Sequence, residues 1–375
     1  MTGDRINLML WYWGRRGFPV RLADNLARYL GGRNDVTLST SLSLQSEGFS
    51  ESAATRVVGF HVDTFQGLAS APAALLRLPK RRRELAEFAN RMGVEVVFAL
   101  MRHPFSPFIF PALRRQGQRI LVAVHDALPH PGDSLPFWQQ HFRFDLAATD
   151  GIVVMSDTVA ELMATVYRYP AERTFFMPLP APDFAHHVPR KAPVGRPWRL
   201  TFFGRIRDYK GLDLLAEAFA HLHSRFNVTL RIVGEGQVAA LDVLASLPGV
   251  TVQQGWVPEA DIATVFESTD VIVLPYREAS QSGILVSALA YGVPIVATPV
   301  GGLREQVISG QTGLLAPAAT GSALAEALAT LLSDPELYAH CSAGALSAAA
   351  GTYHMRRAAE AALAAARAVR RLPPR

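Results

Sequence analysis

The chain of 375 residues is poor in cysteine and in charge, and both shortages exclude classes of protein. Cys341 is the only cysteine, so it can form neither an internal disulfide nor a cysteine-rich zinc site, which indicates a reducing cytoplasm. Charged residues make up 18% and hydrophobic residues 49%, a balance that excludes a disordered or fibrous chain. The length predicts two globular domains.

Lysine is scarce as well: Lys80, Lys191 and Lys210 are the three lysines among 37 basic residues, and the others are Arg. The formal net charge is +5, and residues 351–375 alone carry six Arg against one Glu. The rest of the chain is therefore neutral on balance. A nucleic-acid-binding body is not expected, because its basic face would run through the domains themselves.

Long hydrophobic runs suited to a membrane are also missing. Residues 279–303 hold no charged side chain, but they contain glycines, prolines and polar groups that would interrupt a membrane helix. We predict a buried helix followed by a buried strand there. Residues 6–13 are apolar but lack the cleavage site of a signal peptide, so we predict a first strand.

Short apolar runs alternate with helical patterns along the whole chain, which predicts an α/β fold with parallel sheets. The predicted strands are residues 7–12, 57–62, 94–100, 120–124, 151–155, 199–203, 229–233, 251–254, 271–274 and 295–298. A proline-rich stretch, residues 178–197, predicts the domain boundary. The predicted domains are residues 1–180 and 198–352, joined by the linker 181–197, with a C-terminal helix at 353–370 packing back on the first domain.

The sequence predicts an anion site directly after the strand 199–203. There Gly204, Arg205, Lys210 and Gly211 form a loop that opens an amphipathic helix. Glycines allow close approach of the backbone, helix amides point outward, and the two cations attract phosphate. A solvated basic turn is the alternative.

A series of motifs beginning at this loop resembles the family 4 glycosyltransferases, also called glycosyl transferases group 1. The motifs keep their order over residues 199–316: Phe203-Gly204-Arg205, Lys210-Gly211-Leu212, Ile232-Val233-Gly234-Glu235-Gly236, Gly255-Trp256-Val257-Pro258, residues 288–302 with Glu305, and Gly310-Gln311-Thr312-Gly313. The resemblance implies a GT-B fold, in which two Rossmann-like doubly wound parallel-sheet domains face each other across a cleft.

The resemblance also implies roles for individual residues. Arg205 and Lys210, with Gly204, would hold the diphosphate of a nucleotide-sugar donor. Trp256 and Val257 would lie against the nucleoside, although packing is an equally good interpretation of Trp256. Ser282 and Gly283 begin a predicted helix whose amides would face the same anion.

The chain departs from the family where retaining members carry two glutamates. Ala279 and Ser287 occupy these two positions. Glu278 precedes the first by one residue and is a candidate for contact with the donor sugar. Ser287 is a candidate for contact with the ribose, and a helix-interior serine without a role is the alternative. These departures leave the stereochemical outcome open.

In the first domain, His125 and Asp126 follow the strand 120–124 at the edge where doubly wound sheets bind ligands. The resemblance implies a donor-sugar or catalytic contact for His125, and Asp126 is a candidate base or a turn cap. Nearby His130 and Asp133 do not form a convincing metal set; we expect no metal and no cofactor. Gly14 and Gly17 form a loop after the first strand, at the expected edge of the cleft.

A basic run at residues 80–83 lies among leucines, which is typical of a helix with one charged face. A solvated face and docking on an anionic membrane are the two interpretations. If the helix docks on a membrane, the aromatic residues 11–13 and the segment 105–110 would add apolar contacts with it.

Together these features predict a hexosyltransferase that moves a sugar from a UDP-, GDP- or ADP-sugar to a glycan or lipid-linked acceptor. Bacterial surface-polysaccharide biosynthesis is the predicted setting, in the cytoplasm or peripherally at the inner face of the cell membrane. The alternatives are a GT-B sugar-nucleotide epimerase and a non-catalytic donor-binding or scaffold subunit.

Overall fold

The computed structural model describes residues 5–65, 67–131, 138–182 and 187–373. It contains two six-stranded sheets in which every strand pair is parallel. The predicted α/β fold with two parallel-sheet halves is confirmed. Asp133 and part of the linker 181–197 lie outside the described residues.

The N-terminal sheet has the strand order β2-β1-β3-β4-β5-β6. Its strands are β1 (Ile6–Tyr12), β2 (Val36–Leu42), β3 (Val96–Ala99), β4 (Arg119–Val124), β5 (Gly151–Val154) and β6 (Thr174–Phe176). The helices around it are α1 (Phe18–Leu30), α2 (Ala71–Arg91), α3 (Ser106–Arg115), α4 (Trp138–Ala147) and α5 (Asp157–Thr165). The strands β3, β4 and β5 are almost wholly buried, as expected of parallel strands covered on both faces.

The C-terminal sheet has the order β12-β11-β10-β7-β8-β9. Its strands are β7 (Trp198–Phe203), β8 (Val228–Gly234), β9 (Val250–Gln254), β10 (Val271–Leu274), β11 (Ile295–Ala297) and β12 (Gly313–Leu315). The helices that follow are α6 (Leu212–His223), α7 (Ala239–Ser246), α8 (Glu259–Glu267), α9 (Gly283–Ala290), α10 (Leu303–Gln306), α11 (Gly321–Ser333), α12 (Pro335–Ala350) and α13 (Met355–Arg371). The direction of winding reverses between β7 and β10, and this is where such sheets open a ligand crevice.

One strand prediction is wrong. Residues 57–62 form no strand, and the second strand in chain order is β2. Residue 59 meets β2 at Thr40 and residue 62 meets Ser43 just after it, each through an isolated bridge. The pattern misled because β2 is rich in Ser and Thr instead of aliphatic residues. Two of the three buried hydroxyl groups of β2 have partners: Thr40 Oγ1 donates to the Ala54 carbonyl, and Ser41 Oγ lies 2.9 Å from Trp13 Nε1. The buried Ser39 hydroxyl has no hydrogen-bond partner among the described residues.

The uncharged segment 279–303 contains helix α9 and strand β11, as predicted. Both are buried in the C-terminal half, where β11 pairs with β10 and β12. Among the helices that the structure describes, none is both long and apolar enough to cross a bilayer.

The last helix, α13, leaves the C-terminal sheet and packs against α1, β3, β4 and β5 of the N-terminal sheet. Its buried face is largely alanine, which lets the helix approach the strands closely. Arg367 binds Asp35 at 2.7 Å, and the Arg370 guanidinium donates to the Arg5 carbonyl at 2.8 Å. These contacts tie the end of the described chain to the first sheet.

Candidate active site

The candidate site lies between the carboxyl edges of the two sheets, where the loops after β7 and β10 face the loop after β4. The loop after β7 carries the predicted donor residues Arg205 and Lys210, and the loop after β10 carries Glu278. The loop after β4 carries His125 and Asp126.

The loop after β7 has a backbone that requires glycine. Gly211 has φ +67°, and a Cβ on it would stand 1.9 Å from the Pro275 carbonyl oxygen. Gly204 has φ +132°. The loop therefore packs directly on the chain that leaves β10, and α6 starts at its end.

Aromatic rings hold the two cations of this loop. The Lys210 ammonium lies 3.5 Å from the centre of the Tyr276 ring and 5.0 Å from that of Tyr209. An Arg205 guanidinium NH₂ donates to the Tyr209 hydroxyl at 3.1 Å. Arg205 is exposed and Lys210 half-buried, so neither charge lies in the core. Because the rings already restrict the motion of both side chains, little of their conformational freedom would be lost on binding an anion.

Helix α9 begins beside this loop, and Ser282 caps it. The Ser282 hydroxyl accepts from the Leu285 N–H, and the Ser282 N–H donates to Gln306 Oε1 at 2.8 Å. Burial raises the pKa of Tyr276, whose hydroxyl bonds the Ser282 side chain, so Tyr276 stays a neutral hydrogen-bonding group. Ser282 is buried by this network, and Gly283 in the first turn of α9 is half-buried.

The two candidate nucleoside residues differ in exposure. Val257 is buried, whereas Trp256 is 42% exposed and reaches the N-terminal half. Its Nε1 lies 3.3 Å from Glu47 Oε1, and the Arg16 guanidinium stands 5.3 Å from the ring centre. Trp256 therefore contacts the loop that holds Gly14 and Gly17.

Ser287 is 2% exposed, and its hydroxyl donates to the Gly283 carbonyl of its own helix at 2.9 Å. Gly17 has φ +88° and precedes α1. At Gly14 a Cβ would collide with the Tyr12 side chain, so the loop after β1 also depends on glycine.

His125 is held as a neutral imidazole between the two halves. Its Nε2 donates to the Leu100 carbonyl at 2.8 Å, and its Nδ1 lies 3.2 Å from Gln281 Nε2 in the loop after β10. Burial lowers the pKa of His125, although the bond to Leu100 opposes this. A neutral ring with a proton on Nε2 satisfies both contacts.

Asp126 lies next to His130, whose Nε2 donates to Asp126 Oδ1 at 3.1 Å. Partial burial raises the pKa of Asp126, but hydrogen bonds from His130 and Ser280 outweigh this effect and leave the pKa below its ordinary value. Asp126 is therefore a carboxylate at neutral pH. Glu278 is exposed, and its Oε2 lies 3.9 Å from His130 Nδ1.

Further contacts cross between the halves away from these residues. The Glu305 carboxylate accepts from the Asp157 and Thr158 N–H groups, at 2.7 and 2.8 Å, at the start of α5. Arg21 on α1 binds Glu259 at 3.0 Å. A carboxylate at a helix N-terminus is favourable because the first amides of a helix lack partners. The structure therefore has its two halves in contact at the cleft.

Sequence reasoning missed Tyr209 and Tyr276, which hold the cations. Both follow strands of the C-terminal sheet at its winding reversal, and that position was the available signal. Among the residues described, no group of three or more His, Cys, Asp or Glu side chains is placed to bind a metal ion.

Solved structures with this architecture define the class of fold. A glycosyltransferase from Rickettsia africae superposes with a TM-score of 0.74, covering 99% of this chain and 100% of that one at 15% identity. Anabaena HepE, in a complex with UDP and glucose, gives a TM-score of 0.70 over 96% of this chain and 99% of its own at 14% identity. The chain has the GT-B fold, which confirms the predicted fold class.

Two family models together match most of the chain. "Glycosyltransferase Family 4" matches residues 20–181, and "Glycosyl transferases group 1" matches residues 197–334. A D-inositol 3-phosphate glycosyltransferase of an Arthrobacter species is 33% identical over 152 residues, which are 38% of this chain and 36% of that protein. The chain thus spans about a third of the length of this relative. It belongs to the family 4, or group 1, glycosyltransferases.

Proposed function

We propose that this chain transfers a hexose from a nucleoside-diphosphate sugar to a glycan or lipid-linked acceptor. The observation that carries the proposal is the pair Arg205 and Lys210, placed by aromatic rings at the winding reversal of the C-terminal sheet, opposite His125 and Asp126. Residues 198–352 would bind the donor, and residues 1–180 with the helix at 353–370 would bind the acceptor. HepE, which shares the fold, was solved with UDP and glucose, and that supports a nucleotide-sugar donor.

The proposed chemistry concerns the bond between the sugar and the diphosphate. Negative charge develops on the leaving phosphate oxygen as this bond breaks. Fixed cations at that oxygen lower the barrier, because they need no reorganisation during the reaction. Arg205 and Lys210 would bind the diphosphate, and the start of α9 at Gly283 would add its amides.

On the sugar side, three groups are available. The neutral His125 ring would contact the donor sugar, and the Asp126 carboxylate would accept the proton of the acceptor hydroxyl. Glu278 would contact the sugar as well, because its carboxylate lies 3.9 Å from the same His130 ring that bonds Asp126 at 3.1 Å. Ala279 offers no carboxylate, and the Ser287 hydroxyl would meet the ribose only through its lone pairs.

A panel of UDP-glucose, GDP-mannose and ADP-glucose tests this function. The expected result is release of the nucleoside diphosphate that depends on an added acceptor, for which simple sugars and polyprenyl-phosphate-linked sugars are the probes. An altered sugar nucleotide formed without acceptor indicates the epimerase instead. Binding of a nucleotide with no turnover of any donor indicates the non-catalytic subunit. The observation behind this alternative is that Ala279 and Ser287 stand where retaining members carry glutamates.

We place the lipid-linked acceptor at an anionic membrane, at the inner face of the cell membrane. Three helices that pack side by side, α2, α3 and α4, each expose large apolar side chains. Leu76 on α2 is 85% exposed and Phe144 on α4 is 69% exposed. Lys80 and Arg83 follow on α2, so apolar and basic groups share one surface, which suits an anionic bilayer. Surface-polysaccharide assembly is the setting that this acceptor implies.

The membrane proposal predicts the behaviour of a double variant. We expect the wild type to sediment with phosphatidylglycerol vesicles and not with phosphatidylcholine vesicles, and Leu76→Ser with Lys80→Gln to abolish sedimentation. Val194→Ser, at a residue 94% exposed in the linker, is the matched control and should sediment like the wild type. Absence of wild-type binding, or equal binding by the double variant, contradicts the proposal.

A further inference from the structure

His130 lies where the two halves of the molecule meet, and it contacts both. It follows β4 in the N-terminal half, and its ring stacks on Tyr209 of the donor loop, with 4.3 Å between ring centres and planes 10° apart. Its two nitrogens face carboxylates from opposite halves: Nε2 is 3.1 Å from Asp126, and Nδ1 is 3.9 Å from Glu278.

The stack on Tyr209 reaches the donor cations. Tyr209 is buried, and its hydroxyl accepts a hydrogen bond from Arg205, while its ring lies 5.0 Å from the Lys210 ammonium. A parallel ring packed on Tyr209 restricts the motion of that side chain. His130 therefore limits the positions that Arg205 can adopt when the halves are in contact.

The contact with Asp126 acts on the opposite side of the cleft. An N–H donated to one carboxylate oxygen fixes the rotation of that group and leaves the second oxygen for another partner. Ser280 from the loop after β10 also bonds Asp126. A carboxylate held in this way meets an acceptor hydroxyl in one orientation, and orientation of reacting groups contributes strongly to rate.

We propose that His130 is a positioning residue that aligns the acceptor base with the donor cations when the cleft is closed. It acts through Asp126 on one side and through Tyr209 and Arg205 on the other. This inference rests on the proposed glycosyl transfer and deepens it, since it names the side chain that couples the two half-sites.

Three substitutions at His130 separate its contacts. His130→Ala removes both, His130→Phe retains a ring for Tyr209, and His130→Gln retains an N–H for Asp126. We expect His130→Ala to lower kcat by about 10- to 100-fold, because misplaced groups react slowly although the substrate still binds. The Kd of the nucleoside diphosphate should stay within about threefold of wild type, and Phe and Gln should each restore part of kcat. His221→Ala, at an exposed histidine on α6, is the control and should leave kcat unchanged.

The contradicting results differ from those that contradict the proposed function. If the wild type transfers sugar and His130→Ala retains kcat within about twofold, this inference alone is wrong. The same holds if the Kd of the nucleoside diphosphate rises as much as kcat/KM falls, since His130 then only supports the donor site. A wild type that transfers no sugar from any donor contradicts the proposed function, and this inference with it.

Discussion

Arg205→Ala and Lys210→Ala are each expected to lower kcat/KM for sugar transfer by about 10²- to 10³-fold. The reason is that each removes a fixed positive group from the oxygen on which charge develops, and loss of one such group has an effect of this size. The two rings that hold the cations, Tyr209 and Tyr276, remain in place in both variants, so the loop should keep its backbone. The measurement is initial-rate kinetics with the donor that the panel identifies.

Two substitutions serve as controls for the loss of positive charge. Arg225 follows α6 at the end far from the donor loop, and Lys191 lies in the linker; both are exposed. Arg225→Ala and Lys191→Ala should leave kcat/KM close to the wild-type value. A variant of the pair that behaves like these controls shows that its cation does not act on the leaving group. If Arg205→Ala and Lys210→Ala both behave like the controls, the donor site lies elsewhere.

Gly211→Ala is expected to destabilise the C-terminal half by more than about 3 kcal/mol. A non-glycine residue at positive φ costs about 1–2 kcal/mol by itself. Here the added Cβ also stands 1.9 Å from the backbone oxygen of Pro275, so the loop or β10 must move. At about 2–4 °C per kcal/mol, Tm should fall by about 6–12 °C in a thermal scan.

Gly310→Ala separates the two causes. Gly310 has φ +81°, and a Cβ on it meets nothing within 4 Å, so the variant carries the backbone strain without the collision. We expect it to lower Tm by about 2–8 °C, less than Gly211→Ala does, because only the backbone strain remains. Equal Tm values for the two variants show that the approach of Gly211 to Pro275 contributes nothing, and the description of the donor loop is then wrong.

Much of the C-terminal half could be predicted because β10 and β11 are uninterrupted apolar runs and the loops of this half carry ordered motifs. The strands 199–203, 229–233, 251–254, 271–274 and 295–298 all correspond to strands of the sheet. The N-terminal half was harder, since β2 is built from Ser and Thr and no apolar run marks it. Strands β6 and β12 were not predicted either, because each has only two apolar residues, whereas all three residues of the equally short β11 are apolar.

The candidate site was predictable where it depends on local sequence and not where it depends on the meeting of the halves. Arg205 and Lys210 lie five positions apart in one loop, so their spacing sufficed to pair them. The stack of His130 on Tyr209 joins residues far apart in the chain, and the contact of Trp256 with Glu47 does likewise. Such pairs depend on how one sheet packs against the other, which no sequence pattern in either half encodes.

The central claim is that Arg205 and Lys210 bind a diphosphate, and calorimetric titration with nucleotides tests it most directly. Each of uridine, guanosine and adenosine would be titrated as monophosphate and as diphosphate into the wild type and into the Arg205→Ala, Lys210→Ala double variant. For the preferred base, the wild type should bind the diphosphate at least about tenfold more tightly than the monophosphate, because the second phosphate gains charge-assisted hydrogen bonds. The double variant should lose that difference. Equal affinity of the wild type for both nucleotides, or an unchanged preference in the double variant, contradicts the account.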